Sequence, residues 1–526
     1  MALWMDPRPS SSAKRRRLRK RKATLQAPCV PARKVRKRRK KVHARTQGTL
    51  RCRPRRRARD ALTPGPAGPR APVPPPVEPL STPLAKYAGP FGKAQAERLL
   101  WRAGFGPTPG QAEAMAAAGL DAAVAVLTRP PAAVLTGPAP VMDNGMPITQ
   151  FSGNFHHQLW WLDRMVRSNQ SLVERMTLNW HDWFATDGGV AFTLDMLDQN
   201  ELFRRRALGR FDELLLDVTT GGAMLRFLDG IRNYRGNVNE NYARELMELF
   251  TLGADRGAYT EQDVREQARA LTGWRSDEVA DGVSYHYEAN YHDDGTKTVF
   301  GQTGRWGWED ACRFCLEHEL HPSFVVSKLW GYFMPEPPSD DDRSKLETLY
   351  RDGGYEIRPV VEAILTHRDF YEGPAMVTPP VVLIAGLLRA SQRGIETTAW
   401  QQVMAQCGHK LFLPPDVSGW DESRWMDTTD THGRWRAVGE ALRGREITGA
   451  PADGWDATES PEAAVAKARA YWGNPELSAD TLGVLLGFAE SCLPLAMSTA
   501  DESRLRAKRQ NALRQLVGVA PDLSVS

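Results

Sequence analysis

Asn239-Glu240-Asn241-Tyr242-Ala243-Arg244-Glu245-Leu246-Met247-Glu248-Leu249-Phe250-Thr251-Leu252-Gly253 is dense in carboxylates yet patterned as a capped helix. Asn239 is placed to cap the N-terminus. Glu240 and Asn241 fall in the first turn, where the positive helix end favours negative charge, and Gly253 supplies the left-handed residue that ends the helix. At roughly 100° per residue, Tyr242, Leu246, Leu249 and Phe250 share a face. Glu240, Arg244 and Glu248 run at i,i+4 spacing on the far side as a solvated ladder, each pair contributing about a few tenths of a kcal/mol. Glu245 lies at the border with Asn241 and is the charge closest to the core. A carboxylate there needs a cation, a metal or hydrogen-bond donors to offset its desolvation.

Helical signals of this kind recur on both sides. Lys93–Ala103, Gln111–Ala118, Phe155–Val166, Trp308–Leu320, Ser323–Phe333, Ile357–Leu365 and Pro380–Ser391 all read as helices. Ser171-Leu172-Val173-Glu174 predicts a capping box opening a helix through Phe184, and Thr260-Glu261-Gln262-Asp263 a second one whose helix stops at Gly273. Ser460-Pro461-Glu462 starts a further helix, and 479–491 and 501–517 fit two more. Ser284–Glu288 and Thr296–Phe300 have strand composition around a turn at Asp293-Asp294-Gly295, which predicts a small β-hairpin near 283–301. Leu413–Trp420, with Pro414-Pro415 and Gly419, must be a loop. The expected fold is mainly α: a multi-helix globular body with one small hairpin, preceded by a disordered basic arm.

The chain of 526 residues carries a net charge of +6, which conceals a sharp division. Residues 1–60 hold 24 Lys and Arg against Asp6 and Asp60, while residues 61–526 carry a net −16. The runs Lys14–Lys22, Arg33–Lys41 and Arg51–Arg59 have no apolar period that could fold them. Such an arm suits contact with nucleic acid or another polyanion through residues 14–59, with salt-dependent affinity and no sequence readout. It could equally fold back on the acidic body, or translation could start downstream so that part of it is never made. Four segments are expected: the arm 1–60, a Pro/Gly/Ala-rich linker 61–83, an α-helical core domain 84–440, and a C-terminal helical extension 441–526. No secretory apolar region follows the early charges and no apolar run is long enough to span a bilayer. The sequence therefore reads as cytoplasmic with no transmembrane segment. Six scattered cysteines read as free thiols.

Seven collinear stretches carry a resemblance. They are Glu97–Pro107, Met176–Thr186 (Met-Thr-Leu-Asn-Trp-His-Asp-Trp-Phe-Ala-Thr), Asn239–Gly253, Ala270–Trp274, His292–Thr298, Lys328-Leu329-Trp330 and Pro414–Trp420. Together, over about residues 90–435, they resemble the bacterial family called domain of unknown function 1800. The resemblance implies a predominantly helical protein with no assigned reaction. It also implies relatives that often carry export signals and a partner from a second family, domain of unknown function 1501. This chain departs in having the basic arm where relatives have an export signal. It also has Trp183 where relatives often show the second His of a Trp-His-x-His motif, which weakens a metal site built on that pair.

Four residues stand out as chemistry-bearing. His181 projects away from the arc of Leu172, Met176, Trp180 and Trp183, so it can enter a cleft as general base or metal ligand. His292 and Asp293 sit beside the predicted turn, with Lys297 beyond it, although a plain turn accounts for Asp293 and Gly295 as well. With Glu245, the set His181, Glu245 and His292 offers ligands for a divalent metal, and Asp293 completes an acid–base site. Cys312, Cys315, His318 and His321 lie every third residue along one helix, spread over about 13 Å, too far to surround one ion. Trp160, Trp161, Trp274, Trp420 and Trp425 are candidates for a groove that stacks on sugars. No phosphate-binding loop, dinucleotide turn, zinc-protease helix or nucleophile elbow is present. Three functions follow: a metal-assisted, hydrolase-like enzyme; a noncatalytic scaffold or glycan- and partner-binding protein; or a nucleic-acid-associated protein acting through its arm.

Overall fold

The computed structural model describes residues 84–279, 282–449, 459–492 and 499–526. The polybasic arm and the linker lie outside the described residues. The described chain is mainly helical with two small antiparallel hairpins. Among the described residues no helix is long and apolar enough to cross a membrane.

Two apolar cores organise the helices. The first gathers Lys93–Arg102, Phe211–Thr219, the Asn241–Thr251 segment, Glu261–Ala270, Trp308–Glu317, His321–Gly331 and Ile357–Leu365. The second gathers His156–Arg167, Pro380–Ala390, Trp400–Gln406, Thr428–Leu442 and the helices after residue 459. The helix Ser171–Trp183 is the partition between them. Leu172, Met176, Trp180 and Trp183 enter the first core, whereas Leu178 enters the second. The face that carries His181 is thus turned toward a second core rather than toward water.

The 239–253 stretch forms an α-helix over Asn241–Glu245 and then widens into a π-helix over Leu246–Thr251. Leu252 N–H reaches back five residues to the Met247 carbonyl at 2.9 Å. The wider turn rotates the apolar face, so Met247 is buried with Tyr242, Leu246 and Phe250, while Leu249 is only partly covered. The N-cap position falls on Glu240 and not on Asn239, whose side-chain oxygen nonetheless accepts Asn241 N–H at 2.9 Å. The ladder is redirected: Arg244 keeps Glu240 at 3.2 Å but turns its fork onto Glu261 at 2.7 and 2.9 Å.

The capping box at Thr260 forms as expected, with Asp263 N–H donating to Thr260 Oγ1 and Thr260 N–H to the Asp263 carboxylate. The one expected at Ser171 does not. Glu174 is only 1% exposed and its carboxylate is taken by Arg204, at 2.7 and 2.9 Å, and by Arg164 at 3.1 Å. A stronger charge-assisted pairing outcompetes the cap. The expected hairpin pairing also changes. Trp274–Val279 pairs with Gly282–Tyr287, and Lys297–Val299 pairs with Gln302–Gly304. The second pair closes through Phe300 and Gly301, both at positive φ (47° and 75°), which is the twist a two-residue hairpin turn requires. Residues 288–296 are left as a loop held by Thr272 and Arg269.

Candidate active site

Residues singled out from the sequence fall into three separate places. Asp293 is clamped by Arg269 through two hydrogen bonds, 2.8 and 3.2 Å, and accepts Gly295 N–H at 3.0 Å. The Arg269 guanidinium holds its carboxyl down at about 2. His292 Nδ1 lies 3.0 Å from the Thr272 carbonyl oxygen, and Lys297, 1% exposed, donates to the Asp293 and Gly295 carbonyls. These groups build the loop and leave little free chemistry. Lys297 is buried, not solvated, because two loop carbonyls receive its protons. Glu245 is partly buried, and burial followed by the neighbouring Glu248 charge raises its pKa. It has neither a hydrogen bond nor an ion pair among the described residues.

His181 is elsewhere, 2% exposed and ringed by Trp161, Phe203, Phe412 and Trp420 at centroid distances of 5.5, 6.4, 5.6 and 5.5 Å. Burial pushes its pKa down to about 3, so the ring is neutral. His181, Glu245 and His292 therefore do not form a joint metal site. Among the described residues the one cluster of three such groups is Asp342, His367 and Asp369. There the carboxylates address opposite nitrogens of one ring, Asp342 at Nε2 (3.4 Å) and Asp369 at Nδ1 (3.8 Å). His367 Nδ1 already accepts Asp369 N–H at 3.1 Å as a helix cap. That arrangement is a bridged, capping histidine. Cys312 and Cys315 are fully buried free thiols, in contact with Thr219 and Gln267.

What the structure does bring together is a cleft built by three of the seven stretches that carry the family resemblance or flank them. The helix Ser171–Trp183 contributes Arg175, Asn179 and Asp182, spaced i, i+4, i+7 on one face. The loop that follows Pro414 contributes Trp420, Glu422 and Trp425, and the end of the His321–Gly331 helix is followed by Tyr332. His409 closes the floor, stacked at 12° on Trp425 and 4.5 Å from Trp420. The cavity volume of the cleft is only about 20 Å³. As it stands it accepts a water or a small ion.

Asp182 is the hinge of this arrangement. One carboxylate oxygen accepts Trp420 N–H at 2.8 Å and the other accepts the Tyr332 hydroxyl at 2.7 Å. Burial raises its pKa, and these two bonds with the Lys328 and Arg175 charges work in the opposite direction. Glu422 stands on the exposed rim of the loop, yet the surrounding protein, with the Asp182 charge second, pushes its carboxyl up to about 7. Water at the rim screens this effect, so the direction is what matters: a proton held above the ordinary glutamate range. Arg175 is 3% exposed, and its Nε and Nη1 have no hydrogen-bond partner among the described residues. Both ring nitrogens of His409 and the indole N–H of Trp420 are likewise without one. Buried polar groups are normally paired, so an unpartnered guanidinium lining a cleft is a place for an acidic ligand group.

The loop reaches Asp182 only because residue 419 is glycine. Gly419 has φ +93°, and a Cβ there would stand 2.2 Å from Asp182 Oδ1 and 2.7 Å from its carbonyl oxygen. Gly419→Ala is expected to destabilise the fold by about 1–3 kcal/mol through backbone strain and collision, and to open Trp420 to an aqueous quencher. Thermal melting together with acrylamide quenching of tryptophan fluorescence checks this. Unchanged quenching would mean that the loop does not depend on the close approach.

Sequence reasoning found His181 but missed its neighbours. The signal was present: Arg175, Asn179 and Asp182 form a polar line on a helix whose other faces are both apolar, and a solvated face was not available to it. A model of the family described as Protein of unknown function (DUF1800) matches residues 98–516. The match extends past residue 435 into the C-terminal helices. No curated protein and no solved structure matches the chain.

Proposed function

We propose a function from the cleft itself, because the chain belongs to the DUF1800 family and that description carries no activity: the protein is a hydrolase that cleaves acidic glycans by general acid–base catalysis. The observation that carries this reading is the unpartnered Arg175 fork facing two carboxylates, Asp182 and Glu422, between indole walls. Arg175 would take the sugar's acidic group in a charge-assisted pair. Trp420 and Trp425 supply faces on which a ring stacks. Glu422, which keeps its proton to higher pH, would donate it to the leaving oxygen. Asp182, held by the Tyr332 hydroxyl, would stay ionised to activate water or to stabilise the developing positive charge.

The cleft is too narrow for a sugar ring as it stands, so the 413–427 loop must swing outward on binding. A second cleft along the same loop, bordered by Lys410, Pro415 and Arg424, has a volume of about 240 Å³. No three ligand-type groups of the described cleft residues lie close enough to share a cation, so the acid–base reading is preferred over the metal-assisted one.

The test is a panel of uronate-containing and neutral oligosaccharides, scored by calorimetric binding and by release of reducing ends. Wild type is expected to bind and cleave an acidic member, and Arg175→Gln to lose binding by at least about tenfold with the melting temperature retained. Binding without cleavage would move the protein to the noncatalytic glycan-binding class. Equal handling of neutral and acidic members would remove the role given to Arg175.

A further inference from the structure

A wide groove opens between the His321–Gly331 helix and the Asp340–Asp352 helix. Its volume is about 770 Å³, within the usual range for small-molecule sites. Arg256, Phe324, Lys328 and Arg343 border it, with Glu319 and Glu347 as the acidic members. The cations differ in how they are occupied. Arg256 donates to the Leu252 and Leu320 carbonyls at 2.8 and 3.1 Å and to Ser323 Oγ at 2.5 Å. Arg343 pairs with Asp340 at 2.8 Å and Glu347 at 3.3 Å.

Lys328 has no hydrogen bond and no ion pair among the described residues. Its amine lies 4.7 Å from the centre of the Trp183 ring and 6.0 Å from that of Phe324. The nearest opposite charge it senses is Asp182, beyond ion-pair reach. A cation on an aromatic face would ordinarily hold its proton more tightly. Here burial outweighs that attraction and lowers the amine to about 8. Desolvated lysines of this kind serve as nucleophiles toward carbonyl groups.

We propose that the groove is a carbonyl-binding site in which Lys328 condenses with a small aldehyde or keto acid, the neighbouring Arg256, held by neutral acceptors and in no ion pair among the described residues, favouring an anionic partner. In the step itself the free amine adds to the carbonyl carbon. A proton passes from nitrogen to the former carbonyl oxygen, giving a carbinolamine. Loss of that oxygen as water leaves the imine, and addition of water returns amine and carbonyl. No oxidant or reductant is consumed. The groove and the acid–base cleft share no lining residue, although the Lys328 charge reaches Asp182, so lysine labelling and glycan turnover are read separately.

The experiment is reductive trapping on the full chain. The protein is exposed to substoichiometric glyoxylate with cyanoborohydride at pH 7 to 9, digested, and each lysine-bearing peptide is quantified by mass spectrometry. Lys328 is expected to be modified at least about tenfold faster than the exposed Lys410 at pH 8, because a larger fraction of its amine is unprotonated there. Its rate is expected to level off above that pH. Modification of Lys328 no faster than that of Lys410 would overturn the proposal. Glycolaldehyde, uncharged and of similar size, is expected to label Lys328 several-fold more slowly than glyoxylate, and equal rates would overturn the anionic partner. Lys328→Arg, which keeps the charge but cannot form the imine, is expected to lose the preferred adduct while the melting temperature holds.

Discussion

Glu422→Gln is expected to lower turnover of the acidic glycan by about 10²–10⁴-fold, the usual span for removal of a general acid, while leaving binding nearly unchanged. Glutamine keeps the shape of the side chain but has no proton to transfer. In wild type the carboxyl is raised above its ordinary value of 4.5 to about 7, so the protonated form persists below that pH and is lost above it. The rate should therefore hold while the carboxyl keeps its proton and fall as pH rises through its raised pKa, above the ordinary glutamate range, and the limb should be absent in the variant. The stability effect separates catalysis from structure. A carboxyl whose folded pKa is raised binds its proton more tightly in the native state, so its stabilisation is complete below 4.5 and is lost as pH rises through the folded value. Glutamine, neutral throughout, should melt at or above wild type at pH 8. A stable, ligand-binding, inactive variant is the expected combination. Activity within about threefold of wild type would show that Glu422 is not the acid. Asp182→Asn is a weaker instrument, since Asp182 also fixes the loop through Trp420 N–H and Tyr332.

Local patterns made the helices legible, and tertiary competition decided where the reading failed. Ile357–Leu365 is an apolar amphipathic run, Thr260 opens its helix with a reciprocal cap, and Ser460 accepts the Ala463 N–H ahead of Pro461. Each of these needs only near neighbours. Ser171 looked like the same device, but Glu174 is claimed by Arg164 and Arg204, partners ten and thirty residues away that no local pattern reveals. The hairpins failed for a related reason. Strand composition marked the right region, but register was set by the Phe300-Gly301 turn.

The site was legible only in part because helical periodicity assumes one buried face and one wet one. The helix Ser171–Trp183 has core on two sides and the cleft on a third. A histidine off the apolar arc was therefore assigned to a cleft, when it belongs to the second core beside one. Glu422 gave no signal at all, since it is an exposed loop glutamate that acquires meaning only from Asp182, 240 residues earlier in the chain.

His181→Phe is expected to reduce the acid sensitivity of the fold. The buried ring is held neutral, with its pKa down at about 3 against an ordinary 6.5. Below pH 6.5 the unfolded chain takes up a proton that the folded chain refuses. Native stability is then complete above 6.5 and falls as pH drops toward 3. At pH 4 this single group costs about 3 kcal/mol, a large share of the 5–15 kcal/mol that hold a typical domain together. His409, lowered well below its ordinary value by burial, then by Arg175 and His181, adds in the same direction. Phenylalanine fills the space among Trp161, Phe412 and Trp420 without titrating. Urea melts should place the variant within about 1.5 kcal/mol of wild type at pH 7 and clearly above it at pH 4. The same experiment examines the metal role that the sequence suggested. If a divalent cation raises the midpoint of wild type but not of the variant, His181 is a ligand after all and the neutral-core explanation fails. If the cation moves neither, the imidazole stands as an aromatic packing group whose cost is borne only in acid.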